Sequence, residues 1–175
     1  MSDSMTIRDL IAWGAAQFEA HGLAYGHGTD NALDESAALV LHALDIGYDQ
    51  PDSILDTVPD RQDLERARAL LQARVKTRKP AAYLVNEAWF AGLPFYVDER
   101  VLVPRSPVAE LIEARFVPWI DPDRGGAILD LCTGSGCIGI ACARAFPQAT
   151  VTATDISAAA LAVAAGNVRR HNMGG

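Results

Sequence analysis

The run Asp130-Leu-Cys-Thr-Gly134-Ser-Gly136, followed at a distance by the acidic Asp155, has the residue types and spacing to hold a nucleoside. Gly134 and Gly136 lack a Cβ, so the chain can turn sharply there and a ligand can lie against the backbone. A helix beginning just beyond them presents unpaired N–H groups to that ligand. Asp155 stands about 20 residues past the glycines, where an acidic side chain closing the next strand can accept hydrogen bonds from both ribose hydroxyls.

Gly134-x-Gly136-x-x-Gly139 by itself also matches a dinucleotide fingerprint. The other carboxylate separates the two ligands. Asp130 closes the first strand, close to where a dinucleotide would put its pyrophosphate, and like charges in a partly dry crevice repel strongly. S-adenosylmethionine has no phosphate and carries an ammonium and a sulfonium, so Asp130 suits its amino-acid end. The expected cofactor is S-adenosylmethionine rather than a nicotinamide or flavin dinucleotide. The ligand-free alternative is that the glycines only permit a turn while Asp130 and Asp155 only cap helices.

These residues need a strand–turn–helix–strand scaffold, and the patterning supplies one: a strand over residues 127–131, a helix over 138–146, a strand over 150–154 and a further helix from Ser157. Two parallel strands leave most of their faces and edges uncovered, so a stable sheet is expected to require strands beyond these. Upstream, Ser106 suits a helix cap and Pro107 the first helical position of a helix reaching Phe116, with a turn-rich loop at 121–126. Residues 88–103, aromatic and β-branched around Gly92 and the turn at 98–100, read as a hairpin-like connector.

The first eighty residues read as helices. Thr6 can cap a first helix with Asp9 three places on, Ile7, Leu10, Ile11, Gly14 and Phe18 share a face, and Gly22 ends it. A second helix is expected over 34–44 with Ala37, Val40, Leu41 and Leu44 inward, and a third over 61–79 with Leu64, Leu71 and Val75 inward, stopped by Pro80. A short helix is expected near 53–55.

Half of the 175 residues are hydrophobic and 21% are charged, which is globular composition with enough apolar material for a core. The net charge of −7 provides no overall field for nucleic acid, and the basic residues between Arg61 and Lys79 are interrupted by acidic ones, as on a solvated helix face. No basic-then-apolar leader opens the chain and no window approaches a membrane span, so a soluble cytoplasmic protein is expected. Cys132, Cys137 and Cys142, five residues apart, fit no common zinc pattern and read as small core residues. His21, His27, His42 and His171 are scattered, so no metal site is expected.

The stretches Asp130-Leu-Cys-Thr-Gly-Ser-Gly-Cys-Ile-Gly-Ile-Ala-Cys142 and Phe95-Tyr-Val-Asp-Glu-Arg-Val-Leu-Val-Pro-Arg-Ser-Pro107 resemble the HemK/PrmB family of protein-glutamine methyltransferases, and the resemblance covers nearly the whole chain. It implies an α/β chain with a helical substrate-recognition domain (1–80), a β-hairpin connector (81–107) and the first part of a Rossmann-like class I methyltransferase domain (108–175). Ser106, within Val-Pro-Arg-Ser-Pro, resembles the branch that acts on a large-subunit ribosomal protein. The branch acting on the GGQ loop of release factors is the alternative, and a non-catalytic module that binds a ribosomal protein is a third reading.

By position, the resemblance implies that Thr133, Gly134, Ser135, Gly136 and Asp155 hold the cofactor with Asp130 beside its amino-acid end. Leu102, Pro104 and Arg105 match the stretch beside the active-site mouth, although Leu102 could equally be hairpin core. The family's Asn-Pro-Pro-Tyr motif, whose asparagine and a proline carbonyl grip the glutamine amide, occurs nowhere in these 175 residues. No catalytic residue is therefore assigned, and the polypeptide as given is expected to be an inactive N-terminal fragment.

Overall fold

A computed structural model of the chain describes residues 5–26, 28–47 and 49–173. His27, Tyr48 and residues 1–4 and 174–175 lie outside the described residues. The chain is α/β and divides into two compact units between Val85 and Asn86.

The first unit is helical. Helix α1 (Ile7–Ala20) starts at a full capping box: the Thr6 hydroxyl oxygen accepts from the Asp9 N–H, and the Asp9 carboxylate accepts from the Thr6 N–H. Gly22, with φ +56°, turns the chain away at its end. Helix α2 (Ala32–Ala43) is capped by Asn31, and helix α3 (Arg61–Thr77) by Asp60. A 3-10 turn (Asp52–Asp56) lies between them, and its exit is tied to α1 by the Ile7 N–H to Thr57 carbonyl bond, 3.0 Å long.

Phe18, Leu10, Leu39 and Leu71 are essentially solvent-free at the centre of this unit. Each such side chain contributes about 1.5–3 kcal/mol of hydrophobic stabilisation. The inward face of α2 differs from the expected one, with Leu39 and Val40 buried and Leu41 only half-buried. Glu35 causes the shift. Its carboxylate is buried against Arg74 at 3.0 Å, with 2% of either side chain exposed, so a charged residue occupies a core position.

The expected break after Pro80 falls early. Helix α4 (Ala81–Val85) stays with the helical unit because the Ala81 N–H donates to Glu35 Oε1 at 3.2 Å. Arg74 in turn donates to Glu35 Oε2 and to the Ala24 carbonyl, so one buried ion pair joins α2, α3, α4 and the loop after α1.

The second unit begins with a tight antiparallel pair, β1 (Ala88–Phe90) and β2 (Leu93–Phe95), shorter than the connector expected over 88–103. Helix α5 (Val108–Glu113) ends three residues before Phe116, because Arg115 and Phe116 both take positive φ. The cap position is Pro107 rather than the expected Ser106 and carries no side-chain cap bond, although the Ser106 hydroxyl oxygen accepts from the Val108 N–H at 3.3 Å. Strand β3 (Gly126–Leu131), helix α6 (Cys137–Ala145), strand β4 (Ala149–Thr154) and helix α7 (Ala158–Arg170) complete a parallel crossover unit.

Alternation along β3 sends Ile128 and Asp130 toward the helix side and leaves Leu129 and Leu131 on an open face, 59% and 67% exposed. The core on the helix side joins Phe90, Leu93 and Phe95 of the hairpin to Ile140, Cys142 and Phe146. Cys137 and Cys142 are buried as expected of small core residues, but Cys132 is exposed. Among the described residues no helix is long and apolar enough to cross a membrane.

Candidate nucleoside site

Strands β3 and β4 pair in parallel from Gly126 opposite Ala149 to Leu131 opposite Thr154. Asp130 and Asp155 therefore stand at the carboxyl ends of neighbouring strands, the edge at which open α/β sheets bind ligands. The loop that follows β3 crosses between them. The Thr133 N–H donates to the Thr154 carbonyl at 2.9 Å, extending the strand pairing by one more bond.

Beyond that bond the backbone turns back on itself. Cys132, Gly134 and Gly136 have φ of +60°, +56° and +82°. A Cβ at Gly134 would meet no heavy atom within 4 Å, so there the dihedral alone selects glycine. At Gly136 a Cβ would also lie 3.2 Å from the Ala164 Cβ, so the glycine lets α7 approach the turn. Gly136 is the cap residue of α6, whose first-turn N–H groups have no partner within the helix.

Asp155 braces the turn. Its Oδ2 accepts from the Gly134 N–H at 2.9 Å and its Oδ1 from the Ser157 N–H at 2.9 Å. These two backbone donors, that of Ser157 foremost, hold its carboxyl below the usual carboxylate range, so it is ionised. A carboxylate has about four lone-pair positions, so both oxygens can still accept from a pair of hydroxyls.

Asp130 is turned inward, with 7% of its surface exposed. Its Oδ2 accepts from the Thr133 hydroxyl at 2.5 Å and from the Gly139 N–H at 2.9 Å. A Cβ at Gly139 would come within 3.0 Å of that oxygen, which is why the third glycine of the run is needed for α6 to lie close to β3. Both aspartates thus do what the ligand-free alternative asks of them. They also place two carboxylates at one turn.

The residues expected near the mouth are distributed differently. Leu102 is 88% exposed, which removes the reading of it as hairpin core; Pro104 is half-buried and Arg105 exposed. The turn before them is held by Asp98, which accepts from the Tyr96 hydroxyl at 2.9 Å and from the Arg100 guanidinium. The Arg100 bonds, chiefly, hold the Asp98 carboxyl far below the usual carboxylate range.

One residue at the site escaped sequence reasoning. Asn167 of α7 is completely buried and hydrogen-bonds both to Ser135 of the glycine turn and to Tyr96 after the hairpin. A signal existed, since Ala160, Val163, Ala164 and Asn167 share one helical face on which three are small and apolar. Burial pushes the Cys137 and Cys142 thiols up, away from the reactive thiolate, and among the described residues no three potential metal ligands cluster.

Residues 114–175 match the family model of the methyltransferase small domain. Curated relatives named ribosomal protein uL3 glutamine methyltransferase match most of the chain. That of Xanthomonas campestris pv. campestris is 52% identical over 165 residues, covering 94% of this chain and 54% of the relative. That of Burkholderia pseudomallei is 46% identical over 170 residues (97% and 55%), and that of Francisella tularensis subsp. tularensis 43% over 169 residues (96% and 54%). The chain spans about half the length of the curated relatives it matches.

Proposed function

We propose that this chain belongs to the protein-glutamine methyltransferase family of these relatives and that its protein methylates the side-chain amide of a glutamine in a large-subunit ribosomal protein, with S-adenosylmethionine as donor. The observation that carries the reading is the pair of carboxylates, Asp130 and Asp155, on either side of the glycine turn at the carboxyl ends of β3 and β4.

Asp155 accepts from the ribose hydroxyls, its ionisation secured by the Gly134 and Ser157 N–H groups. Asp130 faces the cationic amino-acid end, and Thr133, Gly134, Ser135 and Gly136 bring backbone close to the nucleoside. When bound, the cofactor supplies an electrophilic methyl group on sulfur. The amide nitrogen that receives it is a weak nucleophile, its lone pair delocalised into the carbonyl, so the protein's contribution is alignment and exclusion of water rather than a strong base. Exposed Leu102, with Pro104 and Arg105, borders the entrance used by the protein substrate, and the helical unit recognises that substrate. A cytoplasmic setting suits a ribosomal target.

Two carboxylates favour a cationic ligand over a diphosphate. The test is calorimetric titration of the chain with S-adenosylhomocysteine and with NAD. Saturable binding of the former and none of the latter is expected; the opposite order would remove the proposal. The uL3 names of the relatives and Ser106 after Arg105 favour a ribosomal substrate over a release factor.

A further inference from the structure

The side chain of Asn167 is 0% exposed and uses both of its donor hydrogens and its acceptor. Its Oδ1 accepts from the Tyr96 N–H at 2.8 Å, and its Nδ2 donates to the Tyr96 carbonyl at 2.9 Å and to the Ser135 carbonyl at 2.8 Å. This arrangement fixes the amide's orientation, because reversing it would set an NH2 against the Tyr96 N–H and an oxygen against two carbonyls. Asn167 thus pairs with Tyr96 as the next residue of a neighbouring strand would, and holds the glycine turn with its remaining hydrogen.

Ser135 lies between Gly134 and Gly136, the two positive-φ glycines. The peptide after Ser135 is held on one side by its Gly136 N–H, which donates to the Thr133 carbonyl at 2.9 Å, and on the other by the bond that the Ser135 carbonyl accepts from Asn167. Tyr96 follows β2 directly and leads, through the Asp98–Arg100 turn and the buried Val97 and Val101, to exposed Leu102. One buried amide therefore spans the cofactor turn and the start of the segment at the substrate entrance.

Resting on the methyltransferase reading above, we propose that Asn167 is a positioning residue that couples the shape of the glycine turn to the segment after the hairpin, so that cofactor binding at one tightens the other. The coupling runs through a single side chain with no slack: three bonds of 2.8–2.9 Å cannot follow a shift of the Ser135 carbonyl unless Tyr96 moves with it. Aspartate in its place would set a carboxylate against two carbonyl oxygens, and alanine would leave the buried Ser135 carbonyl without this partner and remove two bonds from the Tyr96 backbone.

The test measures S-adenosylhomocysteine affinity for Asn167→Ala and Asn167→Ser beside Val163→Ala, a core truncation on the same helix, with thermal midpoints recorded for each. Affinity is expected to fall about tenfold for the Asn167 variants, the worth of one net hydrogen bond, and to hold within about twofold for the Val163 variant at a comparable midpoint. Equal losses at equal midpoints would reduce Asn167 to a core residue and overturn the coupling. Should the Asn167 variants not fold, hydrogen exchange on the unaltered chain decides. The Tyr96 amide is expected to exchange at least several-fold more slowly with S-adenosylhomocysteine bound, and an unchanged rate refutes the coupling. Absence of binding by the unaltered chain would instead defeat the methyltransferase reading, and this inference with it.

Discussion

At the scale of single residues, the two aspartates carry distinguishable loads. Asp155 is braced by backbone N–H groups at both oxygens, so Asp155→Asn replaces a charged acceptor with a neutral one at the ribose and the turn together. The affinity for S-adenosylhomocysteine is expected to fall about 10- to 100-fold by calorimetry, as for loss of a charged hydrogen bond. The pH dependence follows from the same bonds. A carboxyl whose folded value is depressed contributes only while ionised, fully above its unfolded value near 4, and the contribution is lost as pH falls through the lower folded value. Binding governed by Asp155 is therefore expected to stay level from about pH 7 to 4 and to weaken only in stronger acid, as pH falls through the depressed folded value. Persistence of full affinity in acid would deny Asp155 its role.

Among elements, the helical unit offers the sharpest contrasts. Glu35→Ala would leave the Arg74 guanidinium buried without its counter-charge, a loss of about 3–5 kcal/mol in urea unfolding, whereas replacing both with Leu and Met removes the buried charge and leaves a smaller loss, about 1–3 kcal/mol, from the Ala81 N–H and Ala24 carbonyl that the pair had bonded. A double variant as unstable as the single one would show that those two backbone bonds, rather than the buried charge, carry the loss. Gly14 sets two effects against each other. Alanine would gain about 1 kcal/mol of helix propensity, but its Cβ would fall 2.3 Å from Ser36 Oγ and 2.8 Å from Leu71 Cδ2. Ser36 cannot yield cheaply, since its buried hydroxyl donates to the Ile11 carbonyl at 2.7 Å. Overpacking of this kind costs about 1–3 kcal/mol, so Gly14→Ala is expected to lower the unfolding midpoint.

For the molecule as a whole, net charge is the property that reaches furthest. A net charge of −7 gives the chain no overall attractive field for nucleic acid and the sign of field that would steer a cationic protein toward it. Association with a basic protein target is expected to slow as salt is raised, with most of the change in the on-rate, as read by stopped-flow fluorescence of Trp13, Trp89 or Trp119. An on-rate indifferent to salt would mean that contact chemistry alone governs the encounter.

Local chemistry by itself determined the glycine turn, the two strand-ending aspartates, the Thr6 capping box and the stop at Gly22. Each depends on residues close in the chain and on backbone rules that act over a few positions. Burial of a charge was invisible at that range. Glu35 and Arg74 are 39 residues apart and read as surface residues on their own helices until packing joins them, which also rotated the face of α2 and kept α4 with the helical unit. Asn167 belongs to the same class: its two partner residues, Tyr96 and Ser135, lie 71 and 32 residues away, and only the crossover of α7 past the hairpin brings them within reach. Sequence periodicity reports which face is apolar. The partner of a buried polar group is decided by the tertiary fold, because an unpaired buried amide or charge is too costly to leave wherever the chain happens to put it.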